Sequence, residues 1–184
     1  MDGERIDYGT WGEQFFIAAI TEERVLGAVK EIADKPIAMG PIGVGPGGIA
    51  KVRANGTMGE PTITRHEGEP ITFDVRLTIS LRFSVDLRLD KEWFDADLSV
   101  PLRLTALALD GVRILIDADP PRSSDIELDL QADGSRAKLL DRVAGVGDEL
   151  RKFVAVYVKK ELDSPAGRKS REIDVAKLIA DSWE

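Results

Sequence analysis

From Ile71 to Leu89 every odd-numbered residue is apolar: Ile71, Phe73, Val75, Leu77, Ile79, Leu81, Phe83, Val85, Leu87 and Leu89. The residues between them are Thr, Asp, Arg or Ser. Strict alternation is the pattern of a strand with one dry and one wet face, and this one runs about three times the usual five or six residues. At roughly 3.3 Å per residue it would span on the order of 60 Å. A strand of that length belongs to a twisted sheet that curls around something apolar, and what fills the trough becomes the functional question.

The chain returns in kind. After a reversal at Asp90-Lys91-Glu92, the even positions Phe94, Ala96, Leu98, Val100, Leu102, Leu104, Ala106 and Ala108 are apolar. Asp110-Gly111 predicts a hairpin turn into Val112, Ile114, Ile116 and Ala118, and Ile126, Leu128 and Leu130 suggest a final strand. Upstream, Thr62 to Arg65 reads as a short strand and Ile49 to Ala54 as another, ended by the turn signal Asn55-Gly56. The whole reads as a meander of long antiparallel hairpins.

Helical patterns flank it. Thr21 before Glu22 and Glu23 offers an N-cap with acidic first-turn residues, and Leu26, Val29, Ile32 and Ala33 share one face. Phe15 to Ile20 fits either an earlier helical turn or a short strand. From Ser135 the period changes, with Leu139, Val143, Val146, Leu150, Phe153, Tyr157 and Leu162 marking a long amphipathic helix of about 40 Å. Gly145 and Gly147 would let that helix lie close to the sheet. Asp163 to Arg171 reads as a loop, and Asp174 caps a last helix over Val175 to Trp183, with Ile173 and Leu178 as a hydrophobic staple. The fold class is α+β: a strongly curved antiparallel meander wrapped around a long C-terminal helix, with a short N-terminal and a short terminal helix, in one domain spanning residues 1–184.

Composition narrows the function classes. A formal charge of −8 argues against a nucleic-acid partner, since phosphate neutralisation needs a basic surface. There is no cysteine and a single histidine, His66, with no evident partner, so a nucleophilic triad has little to be built from. Asp74, Asp86, Asp90, Asp95 and Asp97 alternate with apolar residues and read as the wet face of a sheet, opposite Arg76, Arg82, Arg88 and Arg103. Gly43-x-Gly45-x-x-Gly48 formally matches a dinucleotide fingerprint, but a strand follows it where that motif needs a helix, so a turn or bulge is the better reading. Asp117-x-Asp119 lacks the Gly and closing Glu of a calcium loop. No catalytic residue, metal site or cofactor is expected. Lys159, Lys160, Arg168, Lys169 and Arg171 form the one basic cluster, which reads as cations at a helix C-terminus, or as a transient contact with an anionic membrane. Polar N-terminal residues and the lack of a long apolar run predict a cytoplasmic protein, and exposed strand edges allow a dimer.

A short first helix introduced by Ile20-Thr21-Glu22-Glu23-Arg24, a meander of very long amphipathic strands and then a long amphipathic helix together resemble the tubular lipid-binding (TULIP) superfamily. That group includes the domain of bactericidal/permeability-increasing protein and the synaptotagmin-like mitochondrial lipid-binding modules. The resemblance covers nearly the whole chain and implies a sheet rolled around helices, an elongated apolar cavity for acyl chains, and no catalytic residues. Met1 to Thr10 do not read as the export signal that many bacterial relatives carry, which departs from the expectation of a periplasmic or surface role. A helix-grip (START-like) fold fits less well, because it expects a strand before paired N-terminal helices and shorter strands.

The expected function is non-enzymatic binding or transport of a hydrophobic ligand, a lipid by preference. Phe73, Leu77, Leu81, Phe83, Leu102, Leu104, Ile114, Leu150, Phe153 and Tyr157 are the candidate cavity wall. The alternative is a structural or protein-interaction domain in which the same residues fill a core and bind no ligand. An enzyme acting on an apolar substrate would need a buried carboxylate or His66 at the pocket.

Overall fold

As far as Asp86 the long alternation forms the strand it predicts, in a computed structural model that describes residues 4–33, 35–86, 91–131 and 145–182. The chain runs α1 (Tyr8–Ala19), α2 (Glu22–Ala33), β1 (Ile37–Val44), β2 (Ala50–Met58), β3 (Thr62–His66), β4 (Thr72–Asp86), β5 (Lys91–Leu109), β6 (Arg113–Asp119), β7 (Glu127–Gln131), α3 (Val146–Asp163), α4 (Pro165–Arg171), β8 (Glu172–Asp174) and α5 (Val175–Asp181). Leu87, Arg88, Leu89 and Asp90, and the predicted start of the long helix from Ser135, lie outside the described residues.

β4 and β5 pair along their length, from Thr72↔Thr105 to Asp86↔Lys91, and this hairpin is the spine of the sheet. On the other edge of β4, β3 takes one end and β2 the other. On the other edge of β5, β7 pairs with residues 95–99 and β6 with residues 103–109. β1 extends β2, and β8 extends β6. The architecture is α+β, with a curled antiparallel half-barrel and helices at both chain ends. The simple meander is corrected in two respects: β2 pairs with β4 and not with β3, which shares that edge of β4, and β7 returns to β5 instead of following β6. Pro101 lies between the end of β7 and the start of β6, where pairing on that edge is already interrupted and a missing N–H breaks no ladder.

The dry face is as dry as its pattern. Phe73, Val75, Leu77, Ile79, Leu81, Phe83 and Val85 are at most 3% exposed, and the even positions from Phe94 to Ala106 on β5 are buried opposite them. Each large side chain so buried contributes about 1.5–3 kcal/mol. Ser84 is the exception on the outer face, buried beside its cross-strand partner Trp93. α3 lies along the trough and touches both β1 and β7, strands on opposite edges of the hairpin, which is why the sheet closes around it. Its buried stripe is Val146, Leu150, Val154, Val158 and Leu162, a strict step of four that leaves Phe153 and Tyr157 on the flank, half-buried. At Gly147 a Cβ would come within 3.2 Å of the Leu128 side chain, so this small residue does let α3 approach β7.

Other differences have local causes. Asp7 accepts from the N–H groups of Gly9 and Thr10, so a full helix α1 starts at Tyr8 where the sequence suggested at most a turn. Asn55-Gly56 is no turn: β4 templates it, pairing Asn55 with Arg82 and Gly56 with Leu81, so β2 runs on to Met58. The glycine-rich stretch is strand β1 with a bulge between Met39 and Ile42, followed by a 3-10 turn at Pro46–Gly48, and β2 follows it. Ser164 and Pro165 start α4 inside the predicted loop, with the Ser164 hydroxyl accepting from the Gly167 N–H. Asp174 caps α5 as expected, accepting from the Lys177 N–H.

Candidate functional site

Eight of the ten predicted wall residues, Phe73, Leu77, Leu81, Phe83, Leu102, Leu104, Ile114 and Leu150, are buried, while Phe153 and Tyr157 pack half-buried against the same core. They do not line one elongated cavity. Leu77, Leu102, Leu104 and Tyr157 converge on a small void at the β3–β6 end of the trough. Phe83 instead stacks on Phe94 at the other end of the hairpin, with ring centroids 5.3 Å apart. Ile114 faces an open apolar groove of about 730 Å³ between α1 and α5, floored by Ile173 and Val175 and flanked by Phe15 and Leu178.

The void has a free volume of about 30 Å³. Its walls come from three elements: Val25, Ala28 and Val29 of α2; Tyr157, Val158 and Leu162 of α3; and Met58, Leu77, Leu102, Leu104 and Ile116 from the sheet. The α2 side of this wall was not among the predicted residues. The apolar face of that helix was visible in the sequence, but nothing local says that it closes onto β4 and β5.

Polar groups gather at the rim. Glu161 borders the void with its side chain 14% exposed, and its Oε2 is 2.6 Å from Lys35 Nζ. That hydrogen bond holds the Lys35 ammonium above its usual range. Arg171 borders the void from α4, and its guanidinium donates to the carbonyls of Gly167, Leu162 and Ile116. At 13% side-chain exposure it ties α4 to α3 and β6. Lys159 is paired with Asp163, whereas Lys160, Arg168 and Lys169 are exposed.

Burial pushes the Tyr157 phenol up, the Glu161 charge adds to this, and Lys35 opposes it. A phenol whose folded-state value is raised favours the fold while protonated. Its contribution is therefore whole below the ordinary 10.0 and is lost as pH rises through the higher folded value. Tyr157→Phe should accordingly show a shallower decline of urea midpoint above that pH than the parent protein.

His66 lies far from this chemistry in role: its Nε2 is 2.7 Å from Asp74 Oδ2 on exposed strand positions, a partner the sequence did not reveal. The wet-face residues are found on the outer strand positions, but the contacts seen there are not the carboxylate–arginine pairs expected: Asp74 meets His66, Arg76 donates to Ser99 and Glu127, Ser80 donates to Asp97, and Arg82 lies 5.6 Å over the Trp93 ring, while Arg88 and Asp90 lie outside the described residues.

No family model matches this chain, and no curated protein matches it. Among solved structures it is similar to the crystal structure of lipopolysaccharide binding protein, at 12% identity and a TM-score of 0.39, over 85% of this chain and 39% of that one. The chain thus spans well under two thirds of that protein's length. Among the described residues, no helix is long and apolar enough to cross a membrane.

Proposed function

We propose that the protein is a non-enzymatic binder of an apolar ligand of the lipid class, taken up between the concave sheet face and helices α2 and α3. The observation that carries this reading is the wall of the void. It is apolar on every side except at the rim, where Glu161 and Arg171 lie, and it sits on a dry face far longer than one helix needs. An apolar interior with a few convergent polar groups is the general form of a small-molecule site.

The size of the void favours a second reading. About 30 Å³ holds a water molecule or a methyl group, whereas ligand pockets run to roughly 300–1,000 Å³. On that reading the side chains fill the core and the domain acts through its surface.

Native mass spectrometry of the purified protein, with lipid analysis of an organic extract, separates the two. A lipid released on denaturation in a fixed ratio to protein is the expected result, and a protein that retains no lipid and takes up no fluorescent fatty acid would establish the filled core. Val29→Ile gives a second discrimination, since it adds one methyl group, the amount the void can hold, from an α2 position. It should raise Tm by about 2–4 °C, the equivalent of roughly 1 kcal/mol of added burial. If the void is the start of a ligand site, the same variant should lose about tenfold or more in affinity for the fatty-acid probe.

A further inference from the structure

We propose that α2 is the gate of this site, a hinged wall held shut by polar tethers, and that a ligand enters when it swings out; this rests on the ligand-binding reading above. A void of about 30 Å³ cannot admit an acyl chain unless one of its walls moves. The sheet wall cannot, since β4 and β5 are paired throughout their length and buried on the inner face. Nor can α3, whose buried stripe from Val146 to Leu162 runs along its whole length.

α2 is held differently. Among its described side chains only Val25 is buried, while Ala28 and Val29 reach the void from half-buried positions. The chain is anchored just outside the helix at both ends, by Ile20 and Ile37, each 1% exposed. Between those anchors, among the described side chains, Val25 and three polar contacts fasten the segment to the rest of the fold. Glu22 Oε1 accepts from the Arg65 N–H at 2.7 Å, Lys30 Nζ reaches Glu60 at 3.0 Å, and Lys35 Nζ reaches Glu161 at the rim. Exposed pairs of this kind are weak and are screened by salt. A helix pinned at its ends, with one buried residue among its described side chains and polar latches of which Lys30–Glu60 is fully at the surface, is the element expected to open below the global unfolding free energy. Its opening would expose Leu77, Leu102 and Leu104, the part of the dry face that α2 covers.

The test uses the free protein first. Hydrogen exchange followed by mass spectrometry should show α2 amides exchanging about tenfold or more faster than those of α3 and β4. The double variant Lys30→Ala/Lys35→Ala should speed α2 exchange several-fold further and leave β4 unchanged, while Lys152→Ala, which breaks the Lys152–Glu149 pair elsewhere on α3, should do neither. Stopped-flow uptake of cis-parinaric acid should accelerate in the double variant in the same proportion, because entry is scaled by the open fraction. If α2 exchanges in step with α3 and β4 in every protein, the gate is overturned. If α2 opens separately but uptake is equally fast in parent and double variant, entry is elsewhere and the gate is again overturned, with ligand binding intact. If α2 opens separately and no protein takes up the probe, ligand binding fails and the gate fails with it.

Discussion

Leu81→Asp is expected to yield no folded protein, while Arg82→Asp, one residue along the same strand, keeps the fold. Leu81 is 2% exposed and sits between Gly56 of β2 and Ala96 of β5. Removing a buried leucine costs about 2–5 kcal/mol, and an unpaired carboxylate in its place adds several more, against a total stability of roughly 5–15 kcal/mol. Arg82 points to the other face. Its replacement forfeits the contact with Trp93 and sets a carboxylate opposite Asp95, together about 1–2 kcal/mol. Far-UV circular dichroism and urea unfolding of the two variants read the difference. Equal effects would mean that the register of β4 is wrong by one residue, since a one-residue slip exchanges the two faces.

Gly167→Ala should be the most damaging glycine substitution at the helical corner, with a loss of about 3 kcal/mol, the upper end of what overpacking costs. A Cβ there would lie 2.2 Å from the carbonyl oxygen of Glu161 and 3.0 Å from that of Leu162. Those are backbone atoms in use: the Glu161 oxygen accepts from the Ser164 hydroxyl, and the Leu162 oxygen from Arg171. Relief of the clash therefore dismantles the junction of α3 and α4 beside the void. Gly12→Ala is the matched control. Its Cβ would meet nothing within 4 Å, and in α1 it should add about 0.5–1 kcal/mol through helix propensity. Urea midpoints of the two variants should move in opposite directions.

Both predictions stand on features of different legibility. The face of Leu81 was readable from the chain, because period-2 alternation is a local property that no distant contact needs to confirm. The danger of an alanine at Gly167 was not, since Gly167 lies in α4, which the sequence read as a loop, and only the sharp corner between α3 and α4 brings it onto the last carbonyls of α3. The same division runs through the site. Leu77, Leu102, Leu104 and Tyr157 were assigned to an apolar wall from their pattern, and in the structure they border the same void. Ile114 was assigned to the same wall on the same pattern, yet faces an outer groove, because alternation identifies a face and not the neighbour that covers it.

Local pattern was enough for the two long strands, their dry faces, the α+β class, the amphipathic long helix and the cap of the last helix. Each follows from side-chain period or from a cap within a few residues. Long-range packing settled the return of β7 to β5, the straight course of Asn55-Gly56 along β4, the place of α2 as the third wall, and the size of the void between them, about 30 Å³. Strand pairing and cavity volume are sums over residues far apart in the chain, and their outcome turns on close packing, in which one methyl group changes the answer.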